Sequence, residues 1–197
     1  MSLQTTPSQT VGPYLSIGLD WLNRNDIAGS ADGTRVTVEG RVFDGDGLPI
    51  SDSVIEIWQA NAAGKYAHPD DRQDKPLEPG FTGFGRIPTD AEGRFYFTTI
   101  KPGRVPGHRT EQLQAPHLEV SVLARGVIKR LATRMYFPDE PGNAEDPVLK
   151  LVPAERRATL IATKAAQSAQ SDAQSATLEL QWDVRIQGDG ETVFFDV

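Results

Sequence analysis

An alternation of period two, cut at short intervals by turn-forming residues, constrains this chain more than any other feature. Apolar side chains at every second position turn one face of an extended strand toward a core and leave the other wet. In Arg35 to Phe43 the residues Val36, Val38, Gly40 and Val42 share a face, and Asp44-Gly45-Asp46-Gly47 then supplies a turn. Ser53 to Gln59 sets Val54, Glu56 and Trp58 against Ile55 and Ile57. Asp90-Ala91-Glu92-Gly93 turns into Arg94 to Ile100, which stops at Lys101-Pro102-Gly103. Leu118 to Ala124 and Leu131 to Phe137 flank Arg125-Gly126, while Trp182 to Ile186 and Thr192 to Val197 flank Gly188-Asp189-Gly190. Some seven short strands with frequent turns predict a mainly β fold, an antiparallel β-sandwich.

One helix is expected. Pro153 sits where a first-turn proline belongs, Glu155 follows it, and Leu160, Ile161 and Ala162 offer part of an apolar stripe as far as about Lys164. Beyond it, Ala165 to Ala176 is drawn almost wholly from Ala, Gln and Ser, and reads as a surface excursion without chemistry. Residues 1–34 form an N-terminal arm ahead of the sandwich, which occupies 35–197. Two long polar loops, Pro69 to Phe81 and Gly103 to Pro116, are where function would concentrate.

Composition removes whole classes of function. The net charge of −7 repels nucleic acid and anionic membranes, and an anionic small molecule would need a locally placed cation. With no cysteine there is no disulfide, thiolate nucleophile or soft zinc site, so three His, four Tyr and the carboxylates remain as metal donors. No apolar run reaches the roughly 18 residues of a spanning helix, and Met1 to Tyr14 lacks the marks of a secretory leader, so cytoplasm is the expected location. The phosphate-loop, dinucleotide, serine-elbow and zincin motifs are absent.

Two strands carry candidate chemistry. His117 and Glu119, two apart, project from one face and could reach one metal, although two donors fall short of the four to six a site needs. By pattern alone the plainer reading is a hydrogen-bonded structural His and a solvated or paired Glu. Arg134 shares a face with Ala132 and Tyr136; it is either an ordinary surface cation or a planar fork for a carboxylate. His68 or His108, with Tyr66, could join His117 and Glu119 in a self-sufficient metalloenzyme, and a non-enzymatic binding sandwich is a further alternative.

Five stretches taken in order, Thr6 to Tyr14 (TPSQTVGPY), Ile55 to Ala60, Thr99 to Gly103, Ala115-Pro116-His117 and Thr133 to Phe137, resemble the intradiol ring-cleavage dioxygenases. The C-terminal Asp183 to Gly188 and Glu191 to Asp196 extend the resemblance over nearly the whole chain. It implies cleavage of 3,4-dihydroxybenzoate (protocatechuate) by O2 to 3-carboxy-cis,cis-muconate at a ferric iron held by two Tyr and two His. At the matching positions this chain has Gln73, Val105, His117 and Glu119, so the resemblance implies a chain without metal of its own. It further implies a partner, a homologous β subunit carrying the Fe(III), in a larger oligomer of α–β pairs. Carried over residue by residue, Thr10, Gly12, Pro13 and Tyr14 would line the shared pocket and Arg134 would meet the substrate carboxylate.

Overall fold

The structure, a computed structural model, describes residues 5–107, 112–165 and 177–196. After a single α-turn, α1 (Tyr14–Ile17), come the strands β1 (Arg35–Phe43), β2 (Val54–Trp58), β3 (Phe84–Pro88) and β4 (Arg94–Ile100). The short pair β5 (Val105–Pro106) and β6 (Leu113–Gln114) precedes β7 (His117–Leu123) and β8 (Leu131–Tyr136). The chain closes with β9 (Thr163–Lys164), β10 (Leu178–Gln181) and β11 (Val184–Arg185). One sheet runs β3-β2-β7-β8 and is antiparallel throughout. The second is mixed: β1 pairs with β4 antiparallel, and its other edge takes β10 and then β11, both parallel.

The expected sandwich follows from the alternation. Val36, Val38 and Val42 face Ile55, Ile57, Leu118, Val120, Val122 and Met135 across the layers, all of them buried. Each such side chain contributes about 1.5 to 3 kcal/mol by leaving water. The opposite faces are free to carry polar groups. The Asp90 turn forms as expected: its carboxylate accepts the N–H groups of Glu92 and Arg94 at 2.9 and 2.8 Å, and Gly93 takes φ 69°.

Several expected elements differ. In place of a helix from Pro153 to Lys164 there is a 3-10 helix, Ala154–Leu160, with Pro153 as its extended cap. Trp182 Nε1 donates to the Thr159 carbonyl at 3.1 Å, taking an acceptor that a continuing helix would need, and Ile161 bridges to Tyr136 as extended chain. β-Branched Thr159, Ile161 and Thr163 favour that change. The last expected strand is reduced to a bridge between Phe195 and Ala132. β3 and β10 were not anticipated, since Gly85 and Pro88 in the first look like breakers. Trp182 to Ile186 shortens to β11 because the exposed Asp183 carboxylate accepts the Arg41 N–H at 2.9 Å, replacing a ladder bond. The Ala/Gln/Ser excursion, apart from Ala165, and His108 lie outside the described residues.

The arm is not a free tail along its whole length. Arg24 bridges to Arg86 in one sheet and Asp26 to Thr98 in the other, and Ile27 is part of the core.

Candidate functional site

The outer face of the β3-β2-β7-β8 sheet brings the sequence candidates together. Antiparallel register sets His117 opposite Tyr136 and Glu119 opposite Arg134, with Trp58 of β2 on the other side of Glu119. Arg134 Nη2 lies 2.6 Å from Glu119 Oε1, and Nη1 donates to Gln114 Oε1 at 2.7 Å. His117 is buried, with Nδ1 2.7 Å from the Ala115 carbonyl. Its Nε2 faces Glu119 Oε1 at 3.3 Å. Burial pushes the Glu119 carboxyl up, but His117 and the Arg134 charge outweigh it and hold the group below the usual range. Behind them Tyr136 donates to Asp146 Oδ1 at 3.1 Å, and Asp146 also accepts the N–H groups of Ala115, Val148 and Leu149.

Gln73 and Val105 line an adjoining cavity of about 870 Å³ with Trp58, Tyr66 and His68. Gln73 spends its amide on the Gly64 carbonyl at 2.9 Å and on Asp71 at 3.1 Å; Val105 is buried. Tyr66 stacks on Trp58 with centroids 5.9 Å apart, and burial plus the nearby Glu119 charge push its phenol well above the ordinary value. Ferric iron, the group the family resemblance implies, does not fit this donor set. One amide is already hydrogen-bonded, one side chain is alkyl, and the carboxylate is already neutralised by a guanidinium. Among the described residues no three His, Asp or Glu groups converge for any metal, and His108, one of the donors considered with His117 and Glu119, lies outside the described residues.

The arm occupies a different end of the same face. Thr10 Oγ1 accepts the Gly126 N–H at 2.7 Å and sits 3.5 Å from the Ala124 carbonyl, so the arm is clamped across the turn between β7 and β8. That clamp brackets Arg125, whose side chain is 77% exposed and paired with Asp52 at 2.9 Å. Gly12 and Pro13 start α1 by accepting from Leu15 and Ile17 at 3.0 and 3.1 Å. Arg86 of β3, 2.5 Å from Glu56, donates to the Leu15 carbonyl and latches the helix to the sheet. Tyr14, Ile17 and Trp21 point outward, 76%, 68% and 75% exposed.

Thus Thr10 holds the turn that carries Arg125, while both terminal nitrogens of Arg134 are engaged within the chain. In the sequence Arg125-Gly126 reads only as a strand separator. A cation beside a glycine at the start of the connection between the two strands is the available signal. Arg86→Met should remove the latch and strand Glu56, costing about 2 kcal/mol. Hydrogen exchange at residues 14–18 should rise; unchanged protection there would refute the latch.

With the geometry established, the chain can be set beside known proteins. A family model described as "Dioxygenase" matches residues 19–188. The chain belongs to this dioxygenase family. It is 44% identical over 209 residues to a protocatechuate 3,4-dioxygenase alpha chain from Burkholderia cepacia, covering 100% of this chain and 99% of that one. It is also 45% identical over 130 residues to the beta chain from the same organism, covering 66% of this chain and 55% of that one. Among solved structures, the dioxygenase domain of a dioxygenase carbohydrate-binding protein fusion from Streptomyces sp. SirexAA-E matches with TM-score 0.62 and 28% identity, over 94% of this chain and 99% of that one. No helix of the described residues is long and apolar enough to cross a membrane.

Proposed function

We propose that this chain is the α-type subunit of an iron(III)-dependent intradiol dioxygenase that cleaves protocatechuate with O2 to 3-carboxy-cis,cis-muconate. Its partner is a homologous β-type chain that holds the iron, and α–β pairs assemble into a larger oligomer. The observation that carries this reading is the full-length likeness to an alpha chain, combined with metal-matching positions that hold Gln73, Val105 and a Glu119 already paired with Arg134.

This chain's own residues bind and orient. Thr10, Gly12, Pro13 and Tyr14 present an exposed, partly rigid backbone and an aromatic ring from the arm, suited to lining a pocket completed by the partner. Protocatechuate is an anion, and the acidic chain does not attract it in bulk. A single placed guanidinium supplies the charge-assisted bond that offsets desolvation of the carboxylate. The resemblance offers Arg134 for that role. We place Arg125 there instead, because it lies in the turn that Thr10 clamps and its side chain is largely exposed, paired only at the surface with Asp52. Orientation of the ring, rather than bond chemistry, is what such a contact provides.

The test is reconstitution. The purified chain alone, supplied with iron, should consume no O2 on protocatechuate. Co-expressed with a β-type chain it should co-purify and yield carboxymuconate. Ring cleavage by the chain alone, or a failure to associate, would overturn the reading.

A further inference from the structure

We propose that the guanidinium of Arg134 is a built-in counter-cation at the metal-matching positions, so that an internal ion pair closes this chain to metal over and above its shortage of donors. The β7–β8 register places Arg134 directly opposite Glu119, where opposite charges reinforce the pair. One terminal nitrogen holds the carboxylate at 2.6 Å, and the other holds Gln114 at 2.7 Å and approaches the Tyr136 hydroxyl at 3.4 Å. Gln114 in turn donates to the Pro106 carbonyl at 2.9 Å, next to Val105. Arg134 therefore ties together three of the four matching positions: Val105 through Gln114 and Pro106, Glu119 directly, and His117 through Glu119.

The same carboxylate oxygen is faced by an imidazole. His117 Nε2 is buried and stands 3.3 Å from Glu119 Oε1, the oxygen that Arg134 neutralises. An imidazole nitrogen beside a carboxylate is a donor pair for a divalent cation. Here a like charge already stands at the carboxylate, so an incoming cation meets repulsion where it would otherwise meet attraction. The same guanidinium keeps Glu119, with a side chain 37% exposed, from standing uncompensated against the sheet.

The inference is independent of the partner, since the experiment uses the full chain alone; its failure leaves the proposed function standing, and the reverse also holds. Arg134→Met, Arg134→Lys, Glu119→Gln and the double variant Arg134→Met/Glu119→Gln would be compared by thermal melting and by titration with Cu2+, read through quenching of tryptophan fluorescence. Trp58 adjoins Glu119 and reports on the position. Arg134→Met should melt roughly 3 to 6 °C lower, and adding Glu119→Gln should recover more than half of that loss. It should also show quenching at a Cu2+ concentration roughly tenfold below wild type, an effect absent from the double variant and from Arg134→Lys. Should Arg134→Met fail to fold, Arg134→Gln, which keeps a bond to Gln114 within reach, carries the same expectations. Strictly additive melting shifts, or equal Cu2+ response in wild type and the neutral variants, would overturn the proposal.

Discussion

Arg125→Ala, in this chain assembled with an iron-bearing β-type partner, should raise KM for protocatechuate about 30-fold or more while leaving the kinetics on catechol nearly unchanged. Truncating one side of a desolvated charge pair costs about 2 to 5 kcal/mol, and the lower figure corresponds to that factor. Catechol has no carboxylate and nothing to lose. The surface pair with Asp52 does not compete strongly, because exposed ion pairs contribute about 0 to 1 kcal/mol. A substrate carboxylate enclosed between two subunits gains more from the same guanidinium. Steady-state kinetics on both substrates decide the matter: equal losses would show that Arg125 shapes the subunit contact, and no loss would remove it from the pocket.

Gly40→Ala should be the most destabilising small substitution in the sandwich, costing about 3 kcal/mol or more. A Cβ at Gly40 would lie 1.8 Å from the Trp182 carbonyl oxygen and 2.6 Å from the Phe95 ring. Neither can yield cheaply. The Trp182 N–H donates to Glu39 at 2.9 Å and its indole to Thr159, while Phe95 is packed in the core. The residue sits where the chain passes from β10 to β11 along the edge of β1, so accommodation would part the parallel pairing. Denaturant unfolding monitored by tryptophan fluorescence should show a lower midpoint; a wild-type midpoint would mean that the crossing relaxes freely.

These two residues show what alternation can and cannot reveal. Gly40 was read as a member of the inward face of β1, and it is, because period two fixes side-chain direction without reference to a partner strand. That β1 is bordered in parallel by two successive pieces of the C-terminal chain was not legible, since parallel neighbours leave no mark on local pattern. β3 was hidden by Gly85 and Pro88, whose propensities are overridden by pairing with β2. At the site, the shared face of His117 and Glu119 and the outward direction of Arg134 were legible from spacing. Their engagement with one another depends on the register between β7 and β8, which no single strand encodes. The placement of Arg125 beside Thr10 depends on a contact across 116 residues of sequence.

The second sheet has a consequence for the order in which the molecule can form. Arg41 bonds to Asp183 across 142 positions, and β1 cannot be completed on that edge until residues as far as Arg185 have left the ribosome. The four strands of the sheet that holds Thr10 and the Leu15 carbonyl are complete by Tyr136. Non-local closure of this kind is slow, because chain entropy is lost before the contacts compensate. Until β10 and β11 arrive, Val36, Val38 and Val42 lack part of their cover, and the nascent subunit is open to non-specific association. The face that carries the arm can thus mature first, while the half-built second sheet sets the interval during which the chain most needs protection.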